Sequence, residues 1–458
     1  MASSAGRGTE DAAVNVPAIP RTREQLIHML THAAETEHML CCQYLFAALS
    51  LKHRTEDGLD YEQQRYTHDW AQLILLIARQ EMEHLGLACN LLTSVGGSPY
   101  FDRANFPQDR HYFPVPMALE KFGMATLDRF LAFERPATWE PEPSDAAADD
   151  FPTYVPVPFK TIGQLYEQIA WLIDNIDMSE PDLFMCRSKR QVSGTLLHID
   201  WPRPGALGGV FDATLFDITD RKTAHQAIDL IIAQGEGTPD EHNFTHYKWF
   251  QQTKRQLTDQ LERDPAFEPA HALAENPGLF PADDSVGVTI ITNPLAREVM
   301  GICDGVYELL LLLLAGLYAY NDSAQQDILA LQYTLFPLMT QVFRPISEVL
   351  IGLPAFDDDD ATRAAPGFQV DRSIPVLPHR DAMFAYLTER FLQLSVAAKQ
   401  TAASGDARVH RLGYIGINLE IMGNKFRDIA AGTYPEPLMQ PGVVLPFAQA
   451  PSAQPPSQ

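Results

Sequence analysis

The sequence predicts an all-α protein: a four-helix bundle with long insertions, followed by a C-terminal helical half. Three observations carry this. Apolar residues recur at steps of three and four along most of the chain from residue 22 on, the period of a helix face packed on a core. The periodic stretches open on capping residues such as Thr22, Thr161 and Asp220, and stop at Gly96-Gly97-Ser98-Pro99 and Pro136. Finally, two successive helices each carry a glutamate in a gap of the apolar stripe. A carboxylate there must be paired, neutralised or bound to a metal.

The first helix runs from Thr22 to about Lys52. Its stripe is Leu30, Ala33, Ala34, Cys41, Tyr44, Leu45 and Ala48, and Glu37 fills the missing turn. Glu35 and His38 fall off the stripe and read as surface groups. So do His28, His32 and His68. The second helix, from about His68 to Val95, carries Ala71, Ile74, Ala78, Leu85, Ala88 and Leu92, with Glu81 in the gap. His84 is three residues on and shares its face. Glu-x-x-His is the unit that metal-binding helix bundles project into their cores. Glu83 points elsewhere and reads as solvated.

A third helix, about Met117 to Arg135, has Gly123, Leu127, Phe130 and Leu131 as its stripe, continued by Glu134. Residues 136–160 read as a surface loop. Thr161 caps a helix from Ile162 to about Ile176, with Glu167 at the edge of its stripe. Residues 177–215 are irregular, with room for a short hairpin. Asp220 opens a helix that the glycines of Gln234-Gly235-Glu236-Gly237 break, and a helix restarts near His246 after the polar insert Thr238 to Asn243. A folded-back insert can bring Glu236 and His246 together.

After an irregular stretch, four more helices are expected near 294–321, 325–352, 380–403 and 407–431. Asp304 and Glu308 in the first of these, and Glu420 and Asn424 in the last, read as hydrogen-bonded or partly exposed. Asp357-Asp358-Asp359-Asp360 lacks the spacing of calcium ligands and reads as a solvated loop. The resulting plan is a tail at 1–20, a metal-binding bundle at 21–265, a C-terminal helical region packed on it at 290–432, and a tail at 433–458.

Composition bounds the function. A net charge of −25 excludes nucleic acid and anionic membrane as partners, and suits solubility. Five thinly spread cysteines without C-x-x-C spacing point to free thiols and a reducing, cytoplasmic setting. Residues 1–20 lack the basic-then-apolar order of a signal peptide. The longest apolar run, Leu309 to Tyr320, is too short to span a bilayer.

The candidate metal ligands are Glu37, Glu81, His84, Glu134, Glu236 and His246, with Glu167 as a subsidiary. Carboxylates with one or two imidazoles suit iron or manganese, and zinc less well. Cys41, one turn beyond Glu37, lines the cavity or is simply a small buried residue.

At this point the sequence resembles the ferritin-like domain family of the iminophenyl-pyruvate dimer synthase type, known from the violacein pathway and from shorter stand-alone bacterial members. The matching runs are Ala34-Glu35-Thr36-Glu37-His38, Tyr44-Leu45-Phe46-Ala47, Arg79-Gln80-Glu81-Met82-Glu83-His84-Leu85, Asn90-Leu91-Leu92 with Gly96-Gly97, Phe133-Glu134-Arg135-Pro136, Thr161-Ile162-Gly163-Gln164-Leu165-Tyr166, Gln234-Gly235-Glu236-Gly237 and His246-Tyr247. They cover about residues 22–260; residues 290–372 resemble the family's helical extension more loosely, with Ala365-Pro366-Gly367-Phe368 as its remnant. The resemblance implies a ferritin-like bundle with a metal centre at the six residues named, holding two iron ions.

The function expected is that of a non-haem di-iron oxidative enzyme of natural-product biosynthesis. Its partners are a small-molecule substrate, of aromatic amino-acid origin in the narrower version, and dioxygen; a homo-oligomer is compatible. The alternatives are a ferritin-like metal-binding or storage protein without catalysis, and a helical scaffold. The resemblance does not extend over the large additional domains of the violacein enzyme, so that enzyme's substrate is not expected to carry over directly.

Overall fold

The structure, a computed structural model, describes residues 19–108, 113, 116–136, 157–176, 182–185, 190–194, 214–236, 245–281, 287–319, 325–371 and 379–434. Most of both expected tails, of the 136–160 loop and of the 177–215 stretch, with its expected hairpin, lies outside these residues, as does the insert Thr238 to Asn243.

Helix α1 (Arg23–Ser50) lies at the centre and packs along α2 (Tyr61–Ser94). Thr22 caps α1 by accepting from the Gln25 N–H. Asp60 and Gln63 form a reciprocal capping box at the start of α2, so α2 begins about two turns earlier than the apolar period implies. Helix α3 (Met124–Glu134) is shorter than expected. Met117 instead bridges Gln108 in an extended pairing, and the chain turns into the helix only after Gly123. Helices α4 (Ile162–Asn175) and α5 (Arg221–Gly235) pack on each other, and α6 (His246–Arg263) packs on α3. Thr161, Asp220 and Thr245 cap these three helices through their side-chain oxygens.

A parallel two-residue pairing, β1 (Pro277–Gly278) with β2 (Thr289–Ile290), leads into α7 (Pro294–Ala319). Among the described residues α7 is the one helix long and apolar enough to cross a membrane, and 83% of its most apolar window is buried inside the fold. A core helix of this kind is apolar on all sides because it is covered on all sides.

Helix α8 (Gln325–Pro337) runs through a π-helical segment, Leu338–Phe343, into α9 (Arg344–Ile351). One uninterrupted helix was expected here. Pro337 has no N–H to give the Tyr333 carbonyl, and the Lys425 ammonium, 3.5 Å away, donates to that carbonyl instead. Helices α10 (Arg380–Ala402) and α11 (Leu412–Ala430) form a hairpin against α7, α8 and the π segment.

Three expectations of exposure are corrected. Helix α1 is buried on every side from Ala33 to Tyr44, because α4, the chain near Ala104 and Tyr307 of α7 meet the faces that α2 leaves free. His38 is therefore buried, with its Nε2 2.6 Å from the Tyr307 hydroxyl. Glu35 is buried too, and accepts the Ala104 N–H. Glu83 is buried and takes an ion pair from Arg79 one turn earlier. Asp304 and Glu308 are hydrogen-bonded, as one of the two readings had it: both are buried, Asp304 accepts the Gln369 N–H, and Glu308 accepts from Arg390 and Tyr386.

Candidate metal centre

Helical phase brings Glu37 on α1, Glu81 and His84 on α2, Glu134 at the end of α3 and His246 at the start of α6 into one buried cluster. Glu81 is its centre. Its Oε2 lies 3.0 Å from His84 Nδ1, and its Oε1 lies 2.9 Å from His246 Nδ1. Glu37 Oε2 is 3.7 Å from His84 Nδ1, and Glu134 Oε1 is 3.5 Å from His246 Nδ1. The result is two triads, Glu37-Glu81-His84 and Glu81-Glu134-His246, that share one carboxylate.

Each triad has the same outer support. Tyr166 donates its hydroxyl to Glu37 Oε1 at 2.7 Å, and Tyr44 donates to Glu134 Oε1 at 2.5 Å. His84 Nε2–H donates to Gln234 Oε1 at 2.7 Å, and His246 Nε2–H to Gln80 Oε1 at 3.0 Å. Phe130 and Phe250 pack against the Tyr44 ring at 4.6 and 5.2 Å.

The donor set fits metal ions. Glu37 Oε2, Glu81 Oε1 and His246 Nδ1 are buried without a hydrogen-bond partner. Buried polar atoms left this way are costly unless something else meets them. Metal–ligand bonds of roughly 2.0–2.2 Å put neighbouring ligand atoms about 3–3.5 Å apart, close to the separations found here. A pair such as His246 Nδ1 and Glu81 Oε1, close but not aligned as donor and acceptor, suits a shared third atom.

The electrostatics agree. Burial pushes Glu37 up to about 8. Burial also opposes the charge on Glu81, yet the His84 and His246 rings beside it hold its carboxyl well below the usual carboxylate range. Burial by itself lowers His246, but Glu134 and Glu81 raise it to about 9, and Glu81 and Glu37 raise His84 in the same way. Without a metal, the two imidazolium charges balance the carboxylates. Two divalent cations would take over that role, and the imidazoles would lose their protons.

Glu236 stands outside both triads. Its Oε1 accepts the Gly163 N–H at 3.0 Å, at the N-terminus of α4. It nevertheless lines the same small cavity as Glu81, His84 and Glu134, whose apolar walls include Leu40, Ile162 and Ile231. Glu167 is half-buried and belongs to neither triad; its neighbour Tyr166 carries the inward contact. Among the aromatic residues around the site, Tyr44 reaches a ligand candidate and Trp249 stacks beside His246, while Phe130 lies behind Tyr44. Cys41 is buried and burial pushes its thiol well up, so it is inert. Sequence reasoning missed Gln80 and Gln234. Each stands one or two residues before a ligand candidate, and that adjacency was the available signal.

Residues 30–255 match the ferritin-like family model. The chain carries a ferritin-like domain. Two curated relatives are similar beyond that domain. One is the dichlorochromopyrrolate synthase of Lentzea aerocolonigenes, 25% identical over 427 residues, covering 86% of this chain and 40% of that protein. The other is the 2-imino-3-(indol-3-yl)propanoate dimerase of Chromobacterium violaceum, 26% identical over 360 residues, covering 74% of this chain and 33% of that protein. The chain thus spans well under half the length of either relative. A ferritin-like protein from Caulobacter vibrioides superimposes with a TM-score of 0.39 at 17% identity, over 66% of this chain and 88% of that one. The ferritin-like domain contains all of the cluster described above.

Proposed function

We propose that this chain is a metal-dependent oxidative enzyme of natural-product biosynthesis, acting on an imine or related compound derived from an aromatic amino acid. The observation that carries the reading is the shared carboxylate: Glu81 turns one oxygen to each of two Glu–His sets. That geometry suits two metal ions held side by side by Glu37, Glu81, His84, Glu134 and His246, with Glu236 within reach of the same cavity. The ligand set favours iron. The substrate class rests on the printed names of the two relatives, which concern an indolyl imine and a chromopyrrolate.

When bound, an iron pair would supply redox chemistry with dioxygen. The chain's own residues do the rest. Tyr44 and Tyr166 fix the free rotation of Glu134 and Glu37 and hold a proton at the outer oxygen of each carboxylate. Gln80 and Gln234 keep the proton on Nε2 of each imidazole, which leaves Nδ1 as the ligand atom. Leu40, Ile162 and Ile231 keep water from the cavity. The Gly163 N–H holds Glu236 at the cavity rim.

The test is reconstitution with ferrous iron under anaerobic conditions, followed by elemental analysis. Roughly one to two ions per chain are expected, by analogy with carboxylate–histidine bundles, and Glu81→Ala with His84→Ala should release them. Protein that binds no iron ends the reading. Dioxygen uptake that depends on 2-imino-3-(indol-3-yl)propanoate, generated in place, separates an enzyme from a metal store, which would bind iron without it.

A further inference from the structure

Helix α11 is apolar on two opposite faces. Ile415, Leu419, Met422 and Phe426 point inward and are buried against α8, the π segment and α10. The outward face carries Tyr414, Ile417 and Ile421, exposed by 76%, 46% and 59%. Isolated exposed apolar residues need no explanation, but these three fall on one line with others. His410, Tyr414, Ile417, Ile421, Asn424 and Asp428 follow alternating steps of four and three. That is the seam of a two-stranded coiled coil. His410 and Arg411, just ahead of the helix, already have helical dihedrals, so the line continues through the turn.

We propose that this seam pairs with the same seam of a second copy, antiparallel, about a twofold axis that crosses the outward face between Ile417 and Ile421. The occupant is argued from the residue order. With the axis there, Ile417 meets Ile421 of the partner subunit, Tyr414 meets Asn424 of the partner subunit, and His410 meets Asp428 of the partner subunit. Every layer then joins the two kinds of seam position, as antiparallel coils require. The pairing is self-complementary, which a twofold interface demands. A parallel pairing in register would set Asp428 against its own copy, and like charges repel. The antiparallel one sets each acid against an imidazole and opposes the two helix dipoles. The seam lies on the far side of α11 from the buried face, so the contact leaves the fold undisturbed.

Sedimentation velocity of the full chain, from micromolar to submillimolar concentration, tests this. The expected result is a species of twice the 51.1 kDa monomer mass. Ile417→Lys with Ile421→Lys should give the monomer, with the same circular dichroism and with the melting curve of wild type diluted to where it is monomeric, because both side chains are exposed. Tyr414→Glu and Asn424→Lys should each weaken the dimer, and the two together should restore it, since the pairing sets them against each other. A wild-type monomer at every concentration, with the tail from residue 435 or another molecule on the seam, overturns the proposal. So does a dimer that survives both lysines, or one that the Glu–Lys pair fails to rescue.

Discussion

His84 and His246 each present one nitrogen to Glu81 and the other to a glutamine carbonyl, and the second contact decides what the first can do. An imidazole whose Nε2–H is held by an acceptor has its Nδ1 lone pair aimed and its basicity raised. Replacing Gln234 or Gln80 by Leu should therefore lower metal affinity by about 10–100-fold, while Gln→Glu, which keeps an acceptor, retains it. Competition titration with a chromophoric chelator reads the change; equal affinities for wild type and both leucine variants would show that the glutamines play no part. Glu37, Glu81 and Glu134 stood out in the sequence because each carboxylate lies on an apolar period, and Glu236 and His246 because a glycine break and a polar insert separate them. The glutamines did not, since a neutral amide at the edge of a stripe leaves no such contradiction in the sequence.

A second residue outside the centre titrates in a useful range. Burial pushes Asp304 up to about 8, against the Gln369 N–H and Arg103, which favour its charge. The folded chain then keeps a proton that the unfolded chain loses near pH 4. Stability from this group is full below that pH, falls as pH rises, and is gone above about 8. Asp304→Asn removes the dependence, so the variant should equal wild type near pH 4 and exceed it above pH 8, as read by urea denaturation across that range.

At the scale of the element, the N-terminus of α4 is shaped around Glu236. A Cβ on Gly163 would sit 2.2 Å from Glu236 Oε1 and 2.3 Å from its carboxyl carbon. Alanine favours a helix over glycine by about 1 kcal/mol, so Gly163→Ala would stabilise α4 if the space were empty. With Glu236 in place its carboxylate must swing off the Gly163 N–H, and the forfeited hydrogen bond, about 0.5–1.5 kcal/mol, should cancel or reverse the gain. In a Glu236→Ala background the same change should become stabilising. A double-mutant cycle by chemical denaturation reads the coupling. A stabilising Gly163→Ala in both backgrounds would mean that Glu236 does not rest there. Capping residues made the starts of α1, α4 and α5 legible. The start of α3 was not, because Met117 pairs with Gln108, a contact set by distant chain that no local period reveals.

For the whole molecule, the period of each helix announced helices but not which faces meet. Glu35 and His38 looked exposed because α1 was read against one neighbour, whereas the chain near Ala104 meets Glu35 and Tyr307, more than 260 residues later, meets His38. The same reasoning predicts where metal loss is felt. The two triads join α1, α2, α3 and α6, elements spread from residue 37 to residue 246. An ion bound only by the folded chain adds about 2.7 kcal/mol of stability when present at a hundredfold its dissociation constant. Removing it leaves Glu37 Oε2, Glu81 Oε1 and His246 Nδ1 unmet in the core. Chelation should thus lower the melting temperature and speed amide exchange first at the end of α3 and the start of α6. Each of these ends sits beside a ligand candidate and is followed or preceded by residues outside the cluster. Exchange in the α10–α11 hairpin, which supplies none of the cluster, should stay unchanged. Hydrogen exchange read by mass spectrometry on iron-loaded and chelated protein makes the comparison. Equal acceleration in both regions would mean that the ions, if bound, hold the fold elsewhere than at these triads.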